Sequence, residues 1–218
     1  MRNTYPFMLD PLDYPMDALE PFIDEQTMNV HFNILLRNYV NKLNDALEHY
    51  PELQFWTLEQ LLINAALLPS AVKEPIINNA GGVFNHYLFF DMMTAPEESQ
   101  MNNEFSVILR KEFGSLQRFE ALFVDAATKM FGSGYVWLVL NHTGNLGIVT
   151  TSNQDNPFSF GVTPILTLDM WEHAFFCQYI SNKRAYASNW FRLIHWNRVY
   201  KRYRSIVHSN LDIYKPPL

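Results

Sequence analysis

Apolar residues recur at helical spacing through most of the first half of the chain. This pattern predicts a long helix over residues 24–50, with Asp24 as its N-cap. One face of that helix carries Met28, Leu35, Tyr39 and Leu43. Further helices are predicted over residues 57–68 and 75–93, and together these elements indicate a helical hairpin. The last helix contains the pair Gly81-Gly82, which weakens a helix and indicates that another element approaches its backbone closely.

The second half of the chain changes its pattern from helix to strand and back. Two helices are predicted first, over residues 103–113 and 115–130. Two β-prone runs at 135–140 and 146–151 flank a loop rich in Asn and Gly, which is typical of a β-hairpin. A third strand is predicted at 165–168, and helices follow over 171–179 and 186–207. We therefore predict an α+β protein, with a helical domain at 1–93 and an α/β domain at 94–218.

Composition narrows the range of partners and compartments. The 218 residues carry a formal net charge of -6, which disfavours a nucleic-acid partner. No apolar run is long enough to predict a membrane span, and the N-terminus lacks the apolar core of a signal peptide. The single cysteine, Cys177, indicates a reducing compartment, and its aromatic neighbours favour a buried structural thiol. A cytoplasmic protein is therefore expected.

Three of the seven histidines lie in apolar surroundings that make them unusual. His31 lies on the apolar face of the first helix, His86 lies in an apolar helical run, and His173 follows Asp169 by four residues. Burying an imidazole costs free energy unless its nitrogens are bonded. Each histidine alone is explained by a hydrogen bond in the core. When the three are taken together with Asp169, a metal site explains them as well as hydrogen bonds in the core do. The ion would be manganese, iron or zinc, and the spacing does not name the metal.

Several separated segments, in order, resemble the iron/manganese superoxide dismutase family. The segments are residues 28–31, 39–44, 78–86, 131–138, 153–157 and 169–174. The resemblance implies an N-terminal α-hairpin domain, followed by an α/β domain with a three-stranded antiparallel sheet. It also implies the activity, which is the conversion of superoxide to oxygen and hydrogen peroxide.

The same resemblance implies a metal site built from both domains. His31 and His86 would come from the helical domain, and Asp169 and His173 from the α/β domain. They would hold one ion per subunit, either manganese or iron. The metal would cycle between two oxidation states as it reacts with superoxide.

Two further residues of the site are implied by the family pattern. Tyr39 would stand at the substrate entrance, and Gln154 would hydrogen-bond the solvent bound to the metal. Iron-type members carry this glutamine in the second ligand helix, where this chain has Gly82. The pattern here is therefore manganese-type, and iron is the alternative.

A subunit interface is implied as well, and it differs from the family pattern. Glu172 would reach the metal site of a partner subunit, and Ser133 would lie nearby, so a homodimer is expected and a tetramer is the alternative. Leu35 and Phe176 replace a histidine and a tyrosine that meet across this interface in the family. Replacing both partners of one polar contact can be nearly neutral.

Other departures concern the metal's shield and the approach of the substrate. Phe90 and Tyr135 replace tryptophans that shield the metal, and both are bulky enough to preserve a dry site. Lys183 or Arg184 could form a basic funnel for anionic superoxide. Two other functions remain open: a metal-binding family member with weak or no activity that acts as a structural or assembly subunit, and a different metalloenzyme such as a hydrolase.

Overall fold

The first half of the protein is a helical hairpin. The structure, a computed structural model, describes residues 4–208. The helices of this half are α1 (Glu25–Met28), a π-helix (Asn29–Leu36), α2 (Arg37–Leu47), α3 (Leu58–Ile63) and α4 (Lys73–Asp91). The first three run into one another without a break, and α4 packs against α2 and α3.

Local side-chain contacts fix where these helices begin and end. Asp24 accepts a hydrogen bond from the backbone N–H of Thr27 at 2.6 Å, which confirms its predicted role as N-cap. Thr57 and Gln60 form a reciprocal capping box at the start of α3. The predicted helix over 57–68 is too long, because Asn64 leaves helical geometry and its side chain binds the carbonyl of Gln60.

The second half is an α/β unit with a three-stranded sheet. Its elements are α5 (Asn103–Phe113), α6 (Leu116–Lys129), β1 (Gly134–Leu140), β2 (Leu146–Ser152), β3 (Thr163–Asp169), α7 (Phe176–Tyr179), α8 (Lys183–Trp190) and α9 (Trp196–His208). The strand order is β2-β1-β3, and both pairs are antiparallel. Strands β1 and β3 are buried along their whole length. The predicted fold class is confirmed.

Strand register brings the first residues of β1 beside the last residue of β3. Tyr135 pairs with Asp169, so both side chains lie at the same end of the sheet. The preceding residue must be a glycine, because a Cβ on Gly134 would lie 2.0 Å from the carbonyl oxygen of Thr151. Asp169 is thereby held at the buried end of a strand.

The predicted single helix over 186–207 is wrong, because the chain breaks it to contact the end of α4. Ile194 forms an isolated β-bridge with Met93, and the His195 N–H donates to the carbonyl of Met92 at 2.8 Å. Backbone groups engaged in this way cannot continue a helix. The break ties the last helix of the second half to the helical hairpin.

Two other expectations also change. The segment predicted as a helix over 171–179 is a 3₁₀ turn (Glu172–Ala174) followed by the short α7. Cys177 is exposed and not buried, since α7 has no buried residues. Within residues 4–208, the helices are either too short or too polar to cross a membrane.

Candidate metal centre

Four side chains from four different elements converge at the contact between the two halves. His31 comes from the π-helix, His86 from α4, Asp169 from the end of β3, and His173 from the 3₁₀ turn after it. One nitrogen or oxygen of each lies within 4.8 Å of those of the other three. His31, His86 and Asp169 are buried, and His173 is 21% exposed. The sequence singled out these four residues, and the structure brings them together.

The converging atoms have no hydrogen-bond partners. Asp169 Oδ2 lies 3.2 Å from the Nε2 of His31, 3.6 Å from that of His173 and 3.8 Å from that of His86. All four atoms are buried and without a hydrogen bond. Leaving one such group unsatisfied costs about 1–3 kcal/mol, so four together are a large penalty unless something binds them. A metal ion fits this donor set, since three imidazoles and one carboxylate suit manganese, iron or zinc.

Backbone groups orient His86 and Asp169. Each residue bonds the backbone through the polar atom that faces away from the cluster. His86 Nδ1 lies 2.6 Å from the carbonyl oxygen of Gly82. A carbonyl can only accept, so Nδ1 carries the proton and the lone pair of Nε2 faces the cluster. Asp169 Oδ1 accepts a hydrogen bond from the Trp171 N–H at 2.7 Å, which leaves Oδ2 free. Contacts of this kind are typical of metal ligands.

Protonation states in the cluster also suit metal binding. Burial lowers the pKa of His31, and it lowers the pKa of His86 to about 3, so both are neutral near pH 7. Burial alone would raise the pKa of Asp169, but the close approach of the His173 and His31 imidazoles outweighs it and lowers that pKa below its usual range. The site therefore offers the neutral imidazoles of His31 and His86 and the ionised carboxylate of Asp169, the forms that bind a metal.

Aromatic side chains surround the cluster and exclude water from most of it. The ring centroids of Phe89 and Phe90 lie 5.5 and 4.9 Å from the ring centroid of His31. Phe90 and Tyr135, the two expected shield residues, are both buried. Trp171 stacks on His173 with ring centres 5.7 Å apart. A dry environment of this kind strengthens every electrostatic interaction within it.

Tyr39 and Gln154 lie next to each other at the edge of the cluster. Gln154 Nε2 donates to the Tyr39 hydroxyl at 3.1 Å, and the Tyr39 ring lies 5.3 Å from that of His86. Both residues fit against α4 because two glycines leave room for them. A Cβ on Gly81 would lie 2.3 Å from the carbonyl oxygen of Gln154, and one on Gly82 would lie 2.5 Å from the Tyr39 ring. The close approach predicted from this glycine pair is confirmed.

The residues expected at a subunit interface lie at or near the surface of the single chain. Glu172 and Phe176 are exposed, and Ser133 and Leu35 are partly exposed. Ser133 is linked to the metal-site turn through Asn153, whose N–H donates to the Ser133 carbonyl and whose own carbonyl accepts from Trp171 Nε1. The interface itself stays a prediction.

The expected basic funnel is not supported by the contacts of its two candidate residues. Lys183 Nζ donates to the carbonyl of Met130 at 2.8 Å, and Arg184 lies 3.7 Å from a carboxylate oxygen of Asp125. Both contacts attach these cations to α6 or its end. They do not bring either cation to the metal cluster.

Two buried amides beside the site were not predicted from the sequence. Asn85 precedes His86 and is fully buried, and Asn156 is 5% exposed. Asn85 Nδ2 donates to Gln154 Oε1 at 3.1 Å, and Asn156 Nδ2 donates to Asn85 Oδ1 at 2.9 Å. The one signal in the sequence was an amide at position 85 within an apolar helical run, where a polar side chain needs a partner.

Comparison with known proteins agrees with this geometry. The profile of the iron/manganese superoxide dismutase alpha-hairpin domain matches residues 6–94, and that of the C-terminal domain of the same family matches residues 101–202. A protein of Leptolyngbya boryana named "Superoxide dismutase [Mn] 1" is 38% identical over 203 residues, which cover 92% of this chain and 82% of that protein. These matches support superoxide dismutase activity, and the chain belongs to the iron/manganese superoxide dismutase family.

Proposed function

We propose that this superoxide dismutase works with one manganese ion per subunit, held by His31, His86, Asp169 and His173. The observation that carries the assignment of these ligands is the convergence of four buried, unpartnered donor atoms. Two ligands come from residues 1–93 and two from residues 94–218, so both domains are needed for a complete site. The bound metal supplies the redox chemistry, by accepting an electron from one superoxide and returning one to the next.

The ligand residues set the conditions for that redox cycle. The ionised carboxylate of Asp169 contributes the one negative charge among the four side chains and favours the higher oxidation state of the ion. Burial keeps His31 and His86 neutral near pH 7, so protons do not compete with the metal for their ring nitrogens. The aromatic side chains around them exclude water from this part of the site.

Tyr39 and Gln154 are proposed to manage protons. Two superoxide anions and two protons give one oxygen and one hydrogen peroxide, so protons must reach the reduced product. Burial raises the pKa of Tyr39, which keeps a proton on its hydroxyl at neutral pH. Gln154 donates a hydrogen bond to that hydroxyl and holds it in place. Tyr39 is half-buried, so its proton can be replaced from solvent.

Manganese is proposed over iron for two reasons. Position 82 is a glycine, and the glutamine beside the cluster comes from the loop after β2, which is the manganese-type arrangement implied by the family pattern. The name of the Leptolyngbya boryana relative also specifies manganese. Growth of the producing cells with either metal, followed by metal analysis and activity per bound ion, tests this choice.

A homodimer is proposed for the active protein, with a tetramer as the alternative. Phe131 and Phe176 present apolar rings to solvent beside Ser133 and Glu172 in the sequence, with 101% and 52% of their areas exposed. Exposed apolar rings close in sequence to residues that the family pattern places at the interface support a partner on this surface. Sedimentation of the wild type and of Phe131→Glu tests this, since the variant should sediment as a monomer.

We also propose a cytoplasmic location. The single cysteine supports this, because a chain with one cysteine makes no intramolecular disulfide and gains nothing from an oxidising compartment. Fractionation of the source cells, with activity followed in each fraction, tests the location.

A metal-binding subunit with weak activity is the competing function, and Leu35 and Phe176 favour it. The entrance side of the site lacks the polar pair that the family pattern has there. Metal analysis combined with superoxide decay on the purified protein separates the two functions. Equimolar manganese or iron with fast decay supports the enzyme, and equimolar metal without decay supports the structural subunit.

A further inference from the structure

A chain of three buried side-chain amides leads from a backbone group to Tyr39. Its hydrogen bonds are Phe158 N to Asn156 Oδ1 at 3.1 Å, Asn156 Nδ2 to Asn85 Oδ1 at 2.9 Å, Asn85 Nδ2 to Gln154 Oε1 at 3.1 Å, and Gln154 Nε2 to the Tyr39 hydroxyl at 3.1 Å. The three amides are 0–7% exposed, so water does not compete for these bonds. We call this chain the amide relay.

The direction of the relay is fixed by backbone groups that cannot be reversed. A carboxamide has nearly the same shape when turned by half a rotation, so its partners alone decide which end donates. The backbone N–H of Phe158 can only donate, so it holds the oxygen of Asn156. The nitrogen of Asn156 must then face the oxygen of Asn85.

A second backbone group fixes Asn85 from the other side. The carbonyl oxygen of Gln154 can only accept, and it takes a hydrogen bond from Asn85 Nδ2 at 3.2 Å. The same nitrogen donates to Gln154 Oε1. The nitrogen end of the Gln154 amide is therefore left to face Tyr39, on the side of the metal centre.

We infer that Asn85 and Asn156 are positioning residues that keep the donor end of Gln154 turned toward the metal centre. This inference rests on the role that the family pattern implies for Gln154, which is a hydrogen bond to the solvent bound to the metal. With a metal bound, a donor at that place would favour hydroxide over water as its solvent ligand, and the negative charge of hydroxide would favour the oxidised ion. An acceptor at the same place has the opposite effect, so the relay sets the reduction potential through the direction of one amide.

The first variant that tests the relay is Asn156→Asp. It keeps the shape of the side chain and the acceptor for the Phe158 N–H, but it removes the donor to Asn85. A hydrogen bond to a charged carboxylate is about twice as strong as one to a neutral carbonyl, so the new carboxylate wins Asn85 Nδ2 from the Gln154 carbonyl. Asn85 then turns its nitrogen toward residue 156, and Gln154 turns its oxygen toward Tyr39. The measurement is the reduction potential of the metal-loaded, full-length protein, with metal content determined on the same sample.

The second variant, Asn85→Leu, removes the middle of the relay without adding charge. Each variant is made in the wild type and in a Gln154→Leu background. The charge added by Asn156→Asp acts in both backgrounds, so the difference between them isolates the amide of Gln154. Asn156→Asp shifts the potential by some amount in each background. We expect that shift to be more positive in the wild type than in the Gln154→Leu background, where only the added charge acts. Asn85→Leu should shift the potential only where Gln154 is present.

A matched control is available in the same domain. Asn44 also lies on a helix and clamps another segment, since its amide bonds both the N–H and the carbonyl of Phe7. Asn44→Leu should lower stability but leave the reduction potential unchanged. A purely structural role for Asn85 would give the same result as this control.

The possible outcomes are distinct. If Gln154→Leu shifts the potential while Asn85→Leu and Asn156→Asp shift it equally in both backgrounds, or not at all, the inference is wrong. If Gln154→Leu itself leaves the potential unchanged, the proposed role of Gln154 is wrong, the inference falls with it, and the ligand assignment stands. If Asn85→Leu does not fold, Asn156→Asp decides alone.

Discussion

Substitution of Gly81 by alanine should separate the metal-binding and catalytic parts of the site. The added Cβ would lie 2.3 Å from the carbonyl oxygen of Gln154, whereas ordinary contact begins near 3.4 Å. The two must therefore move apart by about 1 Å, and because the clash is with backbone, no side-chain rotation relieves it. The same carbonyl accepts the hydrogen bond from Asn85, so that contact is disturbed as well.

The expected effect on stability is small, and the effect on catalysis is large. Overpacking costs about 1–3 kcal/mol, and alanine regains about 1 kcal/mol of helix propensity, so the net loss lies between zero and about 2 kcal/mol. Displacing a positioned catalytic group by about 1 Å can lower a rate by as much as ~100-fold. Gly81→Ala should therefore keep equimolar metal and lose about 10- to 100-fold in superoxide decay per bound ion.

The assay is superoxide decay followed after rapid mixing, with metal content measured on the same sample. Gly147→Ala is the matched control, because its new Cβ would meet only Val139 Cγ2 at 3.8 Å, an ordinary contact. This control should retain the wild-type rate. Wild-type decay per bound ion in Gly81→Ala would refute the argument that close packing on α4 positions Gln154.

Three further predictions concern the metal site and its surroundings. Asp169→Ala removes the one carboxylate of the cluster and should abolish stoichiometric metal binding; metal analysis checks this, and an equimolar ion would contradict it. In the metal-free protein the pKa of His86 is about 3, against about 6.5 in the unfolded chain, so the unfolded state binds more protons between these values. The free energy of unfolding of the metal-free protein should therefore fall by about 2 kcal/mol between pH 7 and pH 5, as measured by urea unfolding. An unchanged urea midpoint would contradict the burial of that imidazole. Tyr14→Phe should lower the free energy of unfolding by about 1 kcal/mol in the same assay, because the Tyr14 hydroxyl donates to the Phe90 carbonyl at 2.9 Å. An unchanged stability would show that this hydrogen bond contributes nothing.

The sequence predicted most of the elements, because their signals are local. Asp24 caps the first helix as expected. The β-hairpin and the third strand also lie where the β-prone runs predict them. The metal site was harder. Periodicity placed His31 and His86 in apolar surroundings but left a satisfied core histidine as good an explanation as a ligand. Resemblance to the family supplied the joint assignment.

The features that escaped prediction depend on contacts between distant segments. The helix break at Ile194 exists because Met93 pairs with it, and no local pattern reports that contact. Asn85 and Asn156 meet although they are 71 positions apart, so the direction of their amides is a property of the folded chain alone. Cys177 was assigned to the core from its aromatic neighbours, but the short helix α7 turns it outward.

The most direct test of the account is anomalous X-ray diffraction from crystals of the purified protein, recorded at the manganese, iron and zinc absorption edges. We predict one strong peak per subunit at the manganese edge, at bonding distance from the Nε2 atoms of His31, His86 and His173 and from Asp169 Oδ2. An iron peak at the same place would change the metal and keep the ligands. A peak elsewhere, or an ion bonded to fewer than these four side chains, would contradict the central claim.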